Sequence, residues 1–144
     1  MKLQTALTNA RRIAERVRSV NGLLATPVAD SEAIRIKRIW AFGSTVKGSQ
    51  CPNDLDLLID LERAGKRLNW RQAKYDRRYF RSYGGIKVAP SAEHQALVWL
   101  SKGMQKVSRH PLHMEEVEID VKVMIYPRDD LAAHMEQLGF KGFA

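Results

Sequence analysis

The chain has 144 residues, of which 44% are hydrophobic and 28% charged, the size and composition of one compact globular domain rather than of a disordered chain. Its formal net charge is +8, a balance that attracts polyanions, with nucleic acid and nucleotide phosphates the first to consider. One cysteine, Cys51, excludes an intrachain disulfide and suits a reducing, cytoplasmic setting.

In chain order, residues 2–20 place Leu3, Leu7, Ala10, Ile13 (or Ala14), Val17 and Val20 at steps of three and four. This is the stripe of an amphipathic helix, with Arg11, Arg12, Glu15, Arg16 and Arg18 mostly on its wet side. The segment lacks the continuous apolar core and small-residue cleavage site of a secretory signal. No apolar run elsewhere is long enough to span a bilayer, so no membrane association is expected. Asn21-Gly22 is a plausible helix stop, and residues 23–32 read as a loop. "AIRIKRIWAF" (33–42) predicts a strand whose second half is buried on both faces. Residues 44–48 suit one helical turn, "CPND" a tighter turn, and "LDLLIDLE" (55–62) a second strand.

Residues 63–83 predict a helix. Arg67, Arg71, Lys74, Arg78 and Arg81 recur at steps of four and three and would form one cationic ridge, and five aromatic residues share the segment. That ridge is a candidate contact for nucleic acid or for an acceptor substrate. Pro90 and Ser91 open another helical segment running toward His110, and "HPLH" (110–113) reads as loop. "MEEVEIDVKVMIYP" alternates, with Val117, Ile119, Val121 and Val123 on one face and Glu118, Asp120 and Lys122 on the other. A last helix spans about 129–138 and stops at Gly139. No histidine pairs with the cysteine at metal-binding spacing, which argues against zinc. The expected architecture is a single α/β (α+β) domain over residues 1–144, a mixed sheet backed by helices, carrying an inserted basic helical segment at about 63–114.

The chemistry concentrates in "AFGSTVKGSQCPNDLDLLIDLE" (41–62). On a strand, residues two apart share a face at a spacing of ~6.5–7 Å, so Asp54 and Asp56 can turn their carboxylates toward one cation. Paired carboxylates repel unless a cation or a proton intervenes. Their hard oxygens suit Mg²⁺ (or Mn²⁺), which is commonly held by one or two carboxylates plus substrate phosphates. Asp60 shares the face but stands ~13 Å further along. Ahead of the pair, Gly43 lets the backbone approach a phosphate, Ser44 adds a hydroxyl, and Lys47 supplies a point charge for a triphosphate.

"FGS", nine residues, "DLDL", and a later "IDV" resemble the DNA polymerase beta-type nucleotidyltransferase superfamily, nearest to the minimal nucleotidyltransferase group. The resemblance covers residues 39–60 well and 117–123 loosely. It implies transfer of a nucleotide from an NTP such as ATP to a hydroxyl, with divalent metal and release of pyrophosphate. Gly43 and Ser44 would then bind the nucleotide, and Asp54, Asp56 and a third carboxylate the metal. Asp120, mid-strand in "IDV", is favoured over Glu118 as that third group. Many relatives carry Arg where Lys47 stands, and many have a helical domain after the third carboxylate that is not evident here. The cationic segment or a separate helical partner protein would therefore serve the acceptor, which could be RNA such as tRNA, a protein or a small molecule. Two other readings stay open: a non-catalytic nucleic-acid-binding module on the same fold, and the toxin-like half of a two-component complex.

Overall fold

The computed structural model describes residues 1–24, 32–67, 81–83, 86–88, 92–114 and 119–140. The amphipathic N-terminal segment forms helix α1, Leu3–Ser19, and Leu3, Leu7, Ala10, Ile13 and Val17 of the expected stripe are its buried positions, joined by Ala6, Asn9 and Ala14. A short strand β1, Leu23–Leu24, follows where the sequence suggested loop. It pairs antiparallel with β2, Glu32–Phe42. Strand β3, Leu55–Arg67, lies antiparallel along the other edge of β2.

β2 explains an irregularity visible in its own sequence. A register shift between Ile36 and Arg38 inserts one residue, so burial passes from Ile34 and Ile36 to Ile39 and Ala41. The bulge keeps one apolar face toward the core through a stretch that strict alternation would have turned over. Ile39 is fully buried at the centre of the sheet. Ile39→Val should destabilise the protein by about 0.5–1.5 kcal/mol in urea unfolding.

Beyond Glu62 the structure departs from the expected helix. Residues 63–67 continue β3, pairing Ile34 with Arg63 and Glu32 with Arg67. The long β2 offers them a ladder, and a sheet partner outweighs helical periodicity. Arg81–Tyr83 and Ile86–Val88 form strands β4 and β5 of a separate two-stranded sheet. The cationic ridge is thus not one helix: Arg67 ends β3, Arg81 opens β4, and Arg71, Lys74 and Arg78 lie outside the described residues.

Helix α2 is Ala92–Leu100, shorter than its sequence suggested. Residues 107–111, where the sequence pattern predicts a helix end and loop, form strand β6, Val107–Pro111, parallel to β3. A 3₁₀ turn, Leu112–Met114, follows. Strand β7, Lys122–Tyr126, pairs antiparallel with β2 beside Ile39–Phe42, and α3 spans Leu131–Gln137. The main sheet therefore runs β1-β2-β3-β6, with β7 also on β2. Ile13, Val17, Ile39, Leu57, Ile59, Leu100, Ile125 and Met135 meet in the core between this sheet and the helices.

Two arginines expected on the wet side of α1 hold this packing together. Arg16 Nη1 donates to the carbonyls of Trp99, Leu100 and Lys102 at 3.0–3.1 Å, satisfying the end of α2. Arg18 Nη2 reaches the carbonyls of Ile125 and Pro127 at 3.4 Å. Among the described residues no helix is long and apolar enough to cross a membrane.

Candidate functional site

The pleat that buries Ile39, Ala41, Leu57 and Ile59 turns Trp40, Phe42, Asp56, Leu58 and Asp60 to the opposite face of the sheet. Register carries this face across the strands: Phe42 stands opposite Asp56 on one side and Lys122 on the other. Asp56 is in turn level with Ser108, and Leu58 with His110. Trp40, itself buried, has two cations against its ring, with Lys122 Nζ 4.4 Å and the Arg38 guanidinium 5.3 Å from the centroid. Asp60 is occupied by Arg38, whose Nη2 and Nε approach one carboxylate oxygen at 2.6 and 3.0 Å.

The Gly-Ser turn leaves β2 at the end of this face that carries Asp56. Gly43 has φ +74°, a left-handed conformation that side chains disfavour. A Cβ there would stand 2.6 Å from Asp56 Oδ2. The missing side chain of Gly43 is therefore the room in which the Asp56 carboxylate sits.

The turn closes on itself. Lys47 N–H donates to the Gly43 carbonyl at 3.3 Å, and Ser49 N–H to that of Ser44 at 3.1 Å. Three further contacts anchor it. Thr45, fully buried, donates from Oγ1 to the Asp54 carbonyl at 3.3 Å. His134 of α3 lies with Nε2 2.7 Å from the Val46 carbonyl, so that nitrogen must carry the proton. At Gly48 an added Cβ would meet the Phe140 ring at 3.0 Å.

Asp54 accepts a hydrogen bond from Ser108 Oγ at 3.1 Å, and Asp56 Oδ1 is 3.7 Å from His110 Nε2. The His110 ring meets Phe42 edge-on, with centroids 5.2 Å apart. Burial pushes the Asp56 carboxyl above its ordinary pKa and the nearby Asp54 charge adds to this, while His110 pulls the other way. In the unfolded chain this carboxyl titrates at the ordinary value, so between the two pKa values the folded protein holds the extra proton. Stability from this group is thus present at low pH and lost as pH rises through the raised pKa. In metal-free urea titrations from about pH 7 toward pH 3, wild type should gain stability relative to Asp56→Asn.

Asp120 stands differently from its expectation. It is not mid-strand but in the bend before β7, exposed, with Lys47 Nζ 3.5 Å from its carboxylate. The Lys47 charge, helped by the Val121 N–H, holds its carboxyl below the ordinary range. Glu118, the other candidate third carboxylate, lies outside the described residues. Among the described residues no group of three or more His, Cys, Asp or Glu is arranged to hold a metal ion.

No protein-family model, curated protein or solved structure matches the chain. The site is therefore described by its own geometry. Gly43, Ser44, Asp54 and Asp56 come together where β2 and β3 meet the turn, and Lys47 reaches Asp120 on its β7 side. Sequence reasoning missed Ser108 and His110, which reach the aspartates only because β6 pairs parallel with β3. The signal was Gly103, three residues past Leu100 at φ +82°, which separates a short helix from a "VSRHP" strand.

Proposed function

We propose that this chain is a metal-dependent nucleotidyltransferase of the DNA polymerase beta type. It would pass an NMP from an NTP to a hydroxyl on RNA, a protein or a small molecule and release pyrophosphate. The observation that carries this reading is the contact of Gly43 with Asp56. A glycine-serine turn and the start of β3, where Asp54 immediately precedes the strand and Asp56 is its second residue, meet at Gly43 and Asp56 with space for a carboxylate and no side chain between them.

The donor set fits one divalent ion. Asp54 and Asp56 are half-buried, and the Asp54 charge raises the cost of ionising Asp56, a repulsion that a shared cation relieves. Two carboxylates completed by substrate phosphates is an ordinary Mg²⁺ arrangement. The described residues do not offer a three-carboxylate, two-ion centre. An ion bound there would neutralise triphosphate charge as the α-phosphorus is attacked.

The chain's own residues do the positioning. Ser108 fixes one oxygen of Asp54, and the Gly43 backbone and His110 bracket Asp56. The start of the Gly43–Ser44 turn presents backbone N–H groups and the Ser44 hydroxyl, which suit phosphate oxygens. Lys47 is exposed, and an exposed ion pair is weak, so it can exchange Asp120 for a phosphate at little cost. As the acceptor oxygen bonds to the α-phosphorus its proton passes to solvent, the bond to the bridging oxygen breaks and pyrophosphate leaves with that electron pair. No covalent enzyme intermediate is involved, and alignment with charge neutralisation supplies most of the rate.

The test is incubation with each α-labelled NTP and Mg²⁺ or Mn²⁺, offering tRNA, other RNA, proteins and small polyols as acceptors. Label transfer that EDTA abolishes supports the reading. Absence of metal-dependent label or pyrophosphate across all four NTPs and all acceptor classes would overturn it.

A further inference from the structure

Outside this site, a cavity of about 350 Å³ lies between the start of α1 and the loop joining α2 to β6. Met1, Thr5 and Asn9 line one side, and Met104, Gln105 and Lys106 the other. Its distinctive member is Asn9, which sits in mid-helix on the buried face of α1, among Ala6, Ala10 and Ile13, and is only 7% exposed. Among the described residues its side-chain amide makes no hydrogen bond. Its amide opens into the cavity and is therefore hydrated in the empty protein, a polar group set on an otherwise apolar helix face. A ligand seated in the cavity would take the place of that water at the amide.

We propose that this cavity binds the base of a nucleoside or nucleotide. A carboxamide offers a donor and an acceptor side by side, the pattern that matches the edges of nucleobases. The thioethers of Met1 and Met104 supply soft, polarisable contacts for the faces of an aromatic ring. Lys106, exposed at the rim, supplies a cation for an attached phosphate. The volume is within the range of small-ligand sites. The cavity is coupled to the sheet, because the Lys106 carbonyl accepts the Leu55 N–H at 2.9 Å, next to Asp54. A base seated here therefore lies beside the strand end that carries the aspartates, yet its binding requires no metal and does not rest on the transfer reaction.

The test is calorimetric titration in EDTA with adenosine, guanosine, cytidine and uridine, their 5′-monophosphates, a short oligoribonucleotide, and ribose 5-phosphate as the base-free control. At least one nucleoside or monophosphate should bind saturably, one per chain. Asn9→Leu should weaken it at least about tenfold while leaving the unliganded melting temperature unchanged or higher. Lys106→Ala should weaken the monophosphate and leave the nucleoside unaffected. Binding of the oligoribonucleotide alone would identify RNA as the source of the base. If Asn9→Leu does not fold, Asn9→Ser and amide shift mapping of Thr5, Asn9, Met104 and Lys106 take its place. No saturable binding by any base-containing probe, equal binding of ribose 5-phosphate, or binding indifferent to every Asn9 substitution would overturn the proposal.

Discussion

Asp56→Asn should lower metal-dependent nucleotide transfer on the order of 10²–10³-fold, the scale on which preorganised electrostatic groups act, while the fold survives. The substitution keeps the shape of the side chain and removes the charge that burial and Asp54 both oppose. Urea unfolding above neutral pH should therefore show stability equal to wild type or slightly greater. Asp54→Asn should give a loss of similar size. Asp60→Asn serves as the control on the same strand, because its carboxylate is engaged with Arg38 and not with the turn, and it should leave transfer within about twofold of wild type. Labelled-NTP assays at saturating Mg²⁺ read the effect. Asp56→Asn retaining a third or more of wild-type transfer would remove the two-aspartate centre from the mechanism.

Gly43→Ala should damage both stability and transfer, for separable reasons. The left-handed backbone costs a side-chain-bearing residue about 1–2 kcal/mol. In addition the new methyl would meet Asp56 Oδ2 at 2.6 Å, so the carboxylate must rotate away from the turn. Gly103 isolates the first effect: it has φ +82° but nothing within 4 Å of an added Cβ. Gly103→Ala should cost about 1 kcal/mol and leave transfer untouched, whereas Gly43→Ala should lose transfer about as severely as Asp56→Asn. In an Asp56→Ala background the stability cost of Gly43→Ala should fall to that of Gly103→Ala, because the oxygen it collides with is gone. Equal costs in both backgrounds would mean that Gly43 and Asp56 are not coupled.

Much of this arrangement was legible before the structure. The stripe from Leu3 to Val17, the strand ending at Phe42, the strand opening at Leu55 and the final helix all carry local periodicity that burial then rewarded. Even the bulge in β2 left a trace, in the slip from Ile34 and Ile36 to Ile39. The approach of Gly43 to Asp56 was legible because a Gly-Ser turn leaving one strand and an aspartate entering the next are separated by only a short loop. Residues 63–67 misled for the opposite reason. Their basic residues suit a helix locally, but Glu32 and Ile34 supply sheet partners for Arg67 and Arg63.

Three things were decided only in three dimensions. Asp120 reads as a mid-strand ligand in "IDV", yet β7 begins two residues later, and the neighbour of Asp120 is Lys47 across the turn. Ser108 and His110 carry no local mark of a site, and the parallel pairing of β6 with β3 sets them against Asp54 and Asp56. Asn9 interrupts an apolar helix face, and only the fold sets it in a cavity beside the α2–β6 loop. The division has one physical origin. Helix period, strand alternation and turn chemistry act between residues a few positions apart, so the sequence alone determined α1, the cores of β2 and β3, α3 and the turn between Phe42 and Leu55. Strand order and register act between residues far apart in the chain, so only the tertiary structure decided which side chains stand beside that turn.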